Sequence, residues 1–395
     1  MIGVEEARAL VVSAARPLGT EAVPLASAAG RRLAAPVVAP HDAPAVPVSA
    51  MDGYAVRDAD LEAGPCVLPL AGASFAGSPE PAPLPPGACL RIFTGAPLPL
   101  GADRVVMQEE VEALEGSARF IGPVIGRRHV RAAGSDFHAG DVLVPAGAVL
   151  TPQRLVAAAA ADQAALQVWR RPRVAILATG DELVEPGSLH GRPGAICESV
   201  SFGVAALAET WGADVVSRGR CRDDLQSLQA AAASAVAGAD VVVTTGGASV
   251  GERDFARAMF EPLGLEILFA KVAMKPGKPI WIGRVGATFI VGLPGNPTSA
   301  LVTARLFLAP LLAGLAGADP ERAWAWRRLP LAGPVGCAGD RETFALGRCG
   351  AGGVEMLVVQ DSASQRSLCE ADLLIRRRPG ASGAAAGEPV ECLSF

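Results

Sequence analysis

The chain carries the stretch Thr245-Gly246-Gly247-Ala248-Ser249-Val250-Gly251-Glu252-Arg253-Asp254 directly after Val241-Val242-Val243-Thr244, a β-branched run typical of a buried strand. A strand therefore ends in a glycine-rich turn, with an acidic residue just beyond it. Glycines let backbone N–H groups approach an anionic ligand closely, because no Cβ atoms stand in the way. Open α/β sheets bind ligands at the carboxyl ends of their strands, so this turn predicts both an α/β fold and a ligand site.

The composition is that of a folded protein with large cores. The chain has 395 residues, enough for two to four domains at about 100–200 residues each. Half of the residues are hydrophobic and 19% are charged, which argues against disorder. The formal net charge is −5 and there is no basic block, so we expect neither nucleic acid nor a membrane surface as a partner.

The cysteines and the N-terminal residues favour a cytoplasmic protein. Eight cysteines are scattered without a C-x-x-C pair, which predicts reduced thiols and neither a disulfide scaffold nor a zinc site. Met1–Arg8 lacks the basic and apolar regions of a signal peptide. The apolar stretch Leu301–Ala318 contains Arg305 and Pro310 and is shorter than the roughly 20 residues of a membrane span, so it predicts a core helix.

The pattern along the chain predicts a multidomain α/β plus β protein in four parts. Residues 1–40 and 141–171 form a helical and linker domain, and 41–140, with short apolar runs separated by Gly and Pro, form a small β domain. Residues 172–318 alternate strands with helices and predict a mostly parallel sheet covered on both faces. Residues 319–395 return to short strands and form a C-terminal β domain, which we expect to be barrel-like.

The α/β part has strand and helix patterns that define its connecting turns. We predict strands at Val174–Ala178, Asp214–Ser217, Val241–Val243, Ile280–Ile282 and Thr288–Val291. We predict helices at Ser201–Trp211, Asp224–Val236, Phe255–Leu263 and Thr298–Ala316, the second of them capped by Asp223 or Asp224.

Acidic residues follow several of these strands. Parallel topology would gather Asp181, Glu182, Asp223, Asp224 and Asp254 along one sheet edge. Carboxylates that share a pocket repel one another unless a cation lies between them. Mg²⁺ is the simplest occupant, since it takes one or two carboxylates and keeps water or phosphate oxygens at its other positions.

Basic and backbone groups complement these carboxylates. Lys271, Lys275 and Lys278 lie within eight residues, in a segment stiffened by prolines, and lysines bind phosphate or other oxyanions as point charges. The helix beginning at Thr298-Ser299 would offer unpaired N–H groups to an anion. Together these features predict a site for a phosphorylated or nucleotidylated ligand.

Each feature alone has a simpler interpretation. A single strand-end Asp is more often a helix cap or a turn residue than a ligand. A lysine cluster is more often a solvated loop, and a Gly-Gly pair is usually only a turn. The histidines, His41, His129, His138 and His190, lie in no metal-binding spacing. The coincidence of such turns with several strands in one domain favours the site.

These motifs resemble those of the molybdopterin molybdenumtransferases, the MoeA and gephyrin E-domain family. The resemblance covers nearly the whole chain, and the motifs are long and in the same order. They are SAMDGYAVR (49–57), TGAPLPLGAD (94–103), TGDEL (179–183), GGASVGERD (246–254), KVAMKPGKP (271–279) and GLPGNPTS (292–299).

The resemblance implies the last step of molybdenum cofactor synthesis. In that step molybdate is inserted into adenylylated molybdopterin and AMP is released in a Mg²⁺-dependent reaction. The family is typically a homodimer, and possible further partners are a MogA-like adenylyltransferase and a molybdoenzyme acceptor. The α/β domain of one subunit faces the MDGYAV domain of the other, so Asp52 and Thr94 look like cross-subunit contributors.

The residues and the resemblance together define the candidate site. We expect catalytic roles for Glu182, Asp223, Asp254, Lys275 and Lys278, of which the three carboxylates would hold the metal. We expect the substrate to be bound by Asp52, Thr94, Thr179, Gly180, Asp181, Ser199, Gly246, Gly247, Ser249, Gly251, Lys271, Pro294, Gly295, Asn296, Pro297 and Ser299.

Some positions depart from the family pattern and leave two alternatives open. Where the family usually has Asp-Ser-Asn, this chain has Glu198-Ser199-Val200, and Ala371-Asp372 stands where Ala-Asn is common. Near Ser362 the usual Gln-Gly-Ser is also altered. One alternative is therefore a non-catalytic molybdopterin carrier or chaperone. The other is a MogA-like adenylyltransferase, against which the MDGYAV and TGAPLPLGAD segments argue.

Overall fold

The chain folds into two units. A computed structural model describes residues 1–122, 126–246 and 255–395, so part of the glycine-rich stretch, Gly247 to Asp254, lies outside the described residues. One unit consists of Met1–Ala22, Arg31–Ala34 and Gln167–Phe395, and the other of Val23–Gly30 and Ala35–Leu166. The four predicted domains are a finer division than these two units and stay a prediction.

The longest uninterrupted α-helices described are α4, with 14 residues, and α1 and α3, with 11 residues each. They are α1 (Val4–Ala14), α2 (Pro152–Ala160), α3 (Val200–Thr210), α4 (Leu225–Gly238), α5 (Phe255–Ala258), α6 (Pro297–Thr303), α7 (Ala309–Leu315) and α8 (Gln365–Glu370). Pro152 at the first turn of α2 lacks an N–H that would be unpaired there in any case, and the Thr151 hydroxyl accepts from the Arg154 N–H.

The strands are numbered in chain order. They are β1 (Thr20–Pro24), β2 (Val37–Val38), β3 (Val48–Ser49), β4 (Gly53–Val56), β5 (Cys66–Ser74), β6 (Cys89–Ile92), β7 (Arg104–Met107), β8 (Val111–Leu114), β9 (Ser117–Phe120), β10 (Val130–Arg131), β11 (Val142–Val144), β12 (Ala165–Trp169), β13 (Arg173–Thr179), β14 (Leu183–Val184), β15 (Ile196–Cys197), β16 (Asp214–Cys221), β17 (Val241–Thr245), β18 (Glu266–Ala270), β19 (Met274–Lys275), β20 (Trp281–Val285), β21 (Thr288–Leu293), β22 (Arg327–Pro330), β23 (Glu342–Gly350), β24 (Gly353–Met356), β25 (Leu373–Arg377) and β26 (Pro389–Ser394).

The α/β sheet has the strand order β16-β13-β17-β21-β20-β18. The pairings of β13 with β16, β13 with β17 and β17 with β21 are parallel, whereas β20 pairs antiparallel with both β21 and β18. The central strands are apolar on both faces, because helices cover both sides of the sheet. Ile176 and Val243 pack toward α3 and α6, and Leu177 and Val242 pack toward α4 and α5. The mostly parallel sheet expected from the sequence is present.

Two predicted elements of this sheet differ in extent. The strand predicted at Asp214–Ser217 continues to Cys221 and is largely exposed, because β16 lies at the sheet edge. The helix predicted at Phe255–Leu263 ends after Ala258 and is followed by a 3₁₀ turn that stops at Gly264, where φ is +80°. Pro262 has no N–H to donate to a helical carbonyl, which explains the early end.

The long apolar segment Pro297–Leu315 is a helix of 19 residues with a mean hydropathy of 1.6. Its length and composition would suit a membrane span, but 94% of it is buried against the rest of the protein. It therefore serves as a core helix, as the sequence predicted. A π-helical segment, Ala304–Leu308, separates α6 from α7 just before Pro310, which has no N–H to continue the α-helical ladder.

The second unit is built around a six-stranded sheet with the order β7-β4-β6-β5-β9-β8. The strand β4, which carries part of the MDGYAV motif, is buried along its whole length. A side chain at Gly53 would collide with the backbone carbonyl of Val106 on β7, so only glycine fits at that position. Apart from the helix α2, the described elements of this unit are strands and short 3₁₀ turns, and most of these strands lie within 41–140, where the sequence predicts a small β domain.

A third sheet, β19-β23-β25-β26-β22, forms the end of the chain, with β24 paired to β23. Its first strand, β19, comes from the lysine-rich segment, and Lys275 lies opposite Thr343 in a parallel pairing. The lysine-rich segment thus connects the α/β sheet to the C-terminal sheet. Closure of the C-terminal sheet into a barrel stays a prediction.

Candidate functional site

A cavity of about 750 Å³ lies at the carboxyl ends of β13, β17 and β21. Most of the predicted site residues line it: Thr179, Gly180, Glu182, Ser199, Asp223, Gly246, Lys271, Lys278, Pro294, Gly295, Asn296 and Pro297. Asp181, Lys275 and Ser299 are not among its lining residues. Gly247, Ser249, Gly251 and Asp254 lie outside the described residues.

The floor of the cavity is formed by backbone that only glycine permits. Gly246 has a φ of +93°, and a Cβ atom there would lie 2.6 Å from the carbonyl oxygen of Thr179 and 2.9 Å from its hydroxyl. A Cβ atom on Gly295 would lie 3.3 Å from the Cα atom of Gly246. At the ends of these three neighbouring strands the backbones approach one another without side chains between them. The space above the strand ends is therefore open.

The acidic wall contains Glu182 and Asp223. The backbone N–H of Asp223 donates to Asp181 Oδ1 at 3.2 Å, so Asp181 orders this turn from outside the cavity. The neighbouring Asp224 caps α4: its Oδ2 accepts from the Ser227 N–H at 2.9 Å, and its hydrogen bonds with Ser227 lower the pKa of the Asp224 carboxyl. Of the two aspartates that the sequence left open, Asp223 faces the cavity and Asp224 is the helix cap.

The carboxylates suit a hard cation. Within residues 1–122, 126–246 and 255–395 there is no group of three or more His, Cys, Asp or Glu side chains placed to hold a metal ion. Glu182 and Asp223 nevertheless both line the cavity, and Mg²⁺ needs only one or two carboxylates with water or phosphate oxygens. The glycine at Gly180 leaves room for the Glu182 carboxylate, whose Oε1 is 2.8 Å from where a Cβ atom would stand.

The basic wall is a tight connection between β18 and β20. The Lys271 N–H donates to the Ile280 carbonyl at 2.9 Å, and the Val272 N–H to the Lys278 carbonyl at 3.0 Å. These bonds place Lys271 and Lys278 side by side on the cavity. Lys275, predicted to be catalytic, is exposed on β19 instead.

The sequence held a further signal about this segment. Lys271, Lys275 and Lys278 are the only lysines in the chain, whose other basic side chains besides histidine are all arginine. Asn296, which also lines the cavity, is the only asparagine. Since lysine and arginine differ as anion binders, the restriction of lysine to one short segment is a further sequence signal for a candidate anion site.

The N-terminus of the helix that begins at Pro297 does not offer free donors. The Thr298 and Ser299 N–H groups donate to the Ser362 carbonyl at 3.0 and 3.4 Å. Asn296 Nδ2 donates to the Ser362 hydroxyl at 3.0 Å. The expectation that these N–H groups are unpaired is wrong, because a segment far along the chain satisfies them.

The start of α3 forms another wall that the motifs only partly indicated. Ser199 Oγ accepts from Gln365 Nε2 at 3.1 Å, and both residues line the cavity. Glu198 and Val200 flank Ser199 and also line it; they are 3% and 7% exposed. Val200 packs into the main core, so an apolar side chain fills the position where the family pattern has asparagine.

The two remaining predicted residues lie in the second unit. Asp52 Oδ1 accepts from the backbone N–H and the hydroxyl of Thr94, both at 2.8 Å. These hydrogen bonds, the backbone one foremost, lower the pKa of the Asp52 carboxyl. Arg91 adds to this region by donating to the Gly53 carbonyl at 3.0 Å and stacking 4.9 Å from the Tyr54 ring.

Comparison with known proteins places the chain in a family. Residues 2–161 match the MoeA N-terminal region (domain I and II), and residues 175–314 match a probable molybdopterin binding domain. The solved structure of a molybdopterin biosynthesis MoeA protein from Pyrococcus horikoshii superposes with a TM-score of 0.86 at 30% identity, covering 100% of this chain and 99% of that one. Fold and cavity thus define a multidomain protein of the MoeA type.

Named relatives extend the assignment. A molybdopterin molybdenumtransferase of Haemophilus influenzae is 40% identical over 302 residues, covering 76% of this chain and 74% of that protein. One from Synechococcus elongatus is 34% identical over 388 residues, covering 96% and 95%. The chain belongs to the molybdopterin molybdenumtransferase family.

Proposed function

We propose that this chain is a molybdopterin molybdenumtransferase that inserts molybdate into adenylylated molybdopterin and releases AMP in a Mg²⁺-dependent reaction. The observation that carries the proposal is the cavity, where two lysines and the carboxylates of Glu182, Glu198 and Asp223 surround closely packed backbone at the strand ends. A volume of about 750 Å³ is of the size that holds a nucleotide-sized ligand.

The residues of the cavity have different roles in binding an anionic substrate. Lys271 and Lys278 stabilise negative charge on phosphate or molybdate oxygens as the bond to AMP breaks. Glu182 and Asp223 would hold Mg²⁺, with Asp254 as a third carboxylate. Bound magnesium would neutralise phosphate charge and orient its oxygens. Thr179, Gly246 and Gly295 supply backbone that a ligand can approach closely.

An in vitro conversion assay tests the proposal. The purified protein receives adenylylated molybdopterin and Mg²⁺, and AMP release is followed with and without molybdate. We expect AMP release that depends on molybdate, and its loss in Lys278→Ala and Asp223→Asn. Tight binding without AMP release would instead identify a carrier, and formation rather than consumption of the adenylylated pterin an adenylyltransferase.

We further propose a cytoplasmic homodimer in which Asp52 and Thr94 of one subunit complete the site of the other. The fixed position of the half-buried Asp52 carboxylate, which accepts from the N–H and the hydroxyl of Thr94, supports this proposal. Mixing Asp52→Asn subunits with Asp223→Asn subunits should restore part of the activity that each lacks alone, because one of the two sites then has both native carboxylates. No recovery after subunit exchange, with mixed dimers demonstrated by mass spectrometry, would contradict a shared site.

A further inference from the structure

The first turn of α3 is capped in an unusual way. Ser199 occupies the N-cap position, where a serine oxygen normally accepts from an N–H of the first turn. Its hydroxyl makes no such bond. Instead, Glu198 Oε1, one residue earlier, accepts from the Ser201 N–H at 2.8 Å. Glu198 therefore caps the helix, and the Ser199 side chain is not used as a cap.

Glu198 is buried, and a cation from the neighbouring edge strand compensates its charge. Arg218 on β16 places Nη1 3.5 Å from Glu198 Oε2 and donates to the Ser201 hydroxyl at 3.0 Å. The Ser201 hydroxyl in turn donates to Glu198 Oε2. The guanidinium also lies 3.7 Å from the centre of the Phe202 ring. A buried carboxylate is stable only with such partners, so Arg218 keeps Glu198 in its capping position.

Ser199 lines the cavity, and its hydroxyl still has a proton to donate. Gln365 Nε2 donates to Ser199 Oγ at 3.1 Å, which occupies the oxygen as an acceptor. Among the residues that the structure describes, none accepts the proton of Ser199 Oγ. The oxygen of this hydroxyl therefore already accepts a hydrogen bond, and its proton can be donated. Such a donor, in a cavity that two lysines also line, suits an anionic oxygen of a ligand.

We propose that Arg218, which lies outside the cavity, is a positioning residue for substrate binding: through Glu198 it holds the Ser199 hydroxyl toward a phosphate or metal-oxyanion oxygen of the substrate. The inference rests on the proposed function for the identity of that substrate. It extends the function by assigning a role to the Glu198-Ser199-Val200 segment and to an arginine of the exposed edge strand.

The test is a double-mutant cycle on AMP release with the full-length protein. We compare wild type, Arg218→Ala, Ser199→Ala and the double variant. Loss of a hydrogen bond to a charged oxygen predicts a roughly ten-fold higher KM for adenylylated molybdopterin in each single variant, with kcat within about two-fold. The double variant should be no worse than either single one, because Arg218 acts through Ser199.

The control is Arg171→Ala. Arg171 is a partly exposed arginine that pairs with Asp214, the first residue of β16, and the KM of this variant should stay at the wild-type value. If Arg218→Ala does not fold, Arg218→Gln takes its place, since a neutral amide cannot compensate the charge of the buried Glu198 carboxylate. Effects of Arg218 and Ser199 that multiply, or a lowered melting temperature with unchanged KM, would overturn the proposal.

A failure of the proposed function is recognised separately. If the wild type itself releases no AMP, the same proteins are compared by their dissociation constants for adenylylated molybdopterin, with the same non-additivity as the criterion. Non-additive losses of affinity then support the positioning role in a binding protein, and additive or absent losses overturn it.

Discussion

Replacing Gly246 by alanine tests whether the close approach of the strand ends builds the cavity. The added methyl group would lie 2.6 Å from the Thr179 carbonyl oxygen, well inside the 3.4 Å at which ordinary contact begins. The atom that must move is backbone at the end of β13, so no flexible side chain can relieve the collision. Thr179 lines the cavity, and its displacement therefore alters the site directly.

Two contributions set the size of the effect. Alanine in a left-handed conformation costs about 1–2 kcal/mol. Forcing an extra methyl group into a packed position costs roughly 1–3 kcal/mol more. Gly264→Ala separates the two, since Gly264 also has a positive φ, +80°, but has no atom within 4 Å of its Cβ position. We therefore expect a loss of about 2–5 kcal/mol at Gly246 and of only the smaller strain cost at Gly264.

The assay combines thermal unfolding with steady-state AMP release. Gly246→Ala should lower the melting temperature more than Gly264→Ala and reduce kcat/KM by about 100-fold, the cost of displacing a substrate-positioning group by about 1 Å. Gly264→Ala should keep its activity at temperatures where it is folded. Equal losses of stability in the two variants, or full activity of Gly246→Ala, would refute the reasoning that contact with Thr179 shapes the site.

Three further predictions follow from the described contacts. Asp223→Asn should abolish AMP release with little change in melting temperature, whereas Asp224→Ala should lower the melting temperature and spare turnover; the reverse result would contradict their placement. The pKa of Asp58 is lowered chiefly by its hydrogen bond with Arg104, so this carboxylate stabilises the fold above the unfolded pKa of about 4, and the contribution disappears as the pH falls through the lower folded pKa. Thermal unfolding between pH 6 and about pH 2 should show the advantage of wild type over Asp58→Asn shrinking with acid, and a constant difference would disprove the link. Burial raises the pKa of Cys89 to about 11, so iodoacetamide at pH 8 should leave it unmodified in native protein while the exposed cysteines react, as mass spectrometry of the labelled peptides would reveal.

The location of the candidate site could be predicted because strand ends are local features of the sequence. Val241–Thr245 is apolar and β-branched up to the turn, and the parallel pairing of such strands brings their carboxyl ends together without knowledge of the rest of the chain. Glu182, Asp223 and Gly295 follow strands directly, and all three line the cavity. The motif resemblance pointed to the same residues.

The features that sequence reasoning predicted wrongly or missed depend on contacts between segments that are far apart in the chain. The Thr298 and Ser299 N–H groups are satisfied by Ser362, and nothing near either position in the sequence indicates that pairing. The role of Glu198 required the same kind of information, because its partner Arg218 comes from another strand. The distinction between Asp223 and Asp224 depended on which one begins the helix, a boundary that pattern alone leaves uncertain by a residue or more.

All lysines of this protein lie in the lysine-rich segment between β18 and β20, which has a practical consequence for chemical labelling. Apart from the N-terminus, every primary amine of the chain lies between Lys271 and Lys278, and two of the three lysines line the cavity. Amine-directed coupling to a sensor surface or a dye would therefore modify the candidate site as well as the N-terminus. The same property allows footprinting with a mild acylating reagent. Reduced acylation of Lys271 and Lys278 when a ligand is added, measured separately from Lys275 by peptide mapping, would report occupancy of the cavity without a labelled ligand.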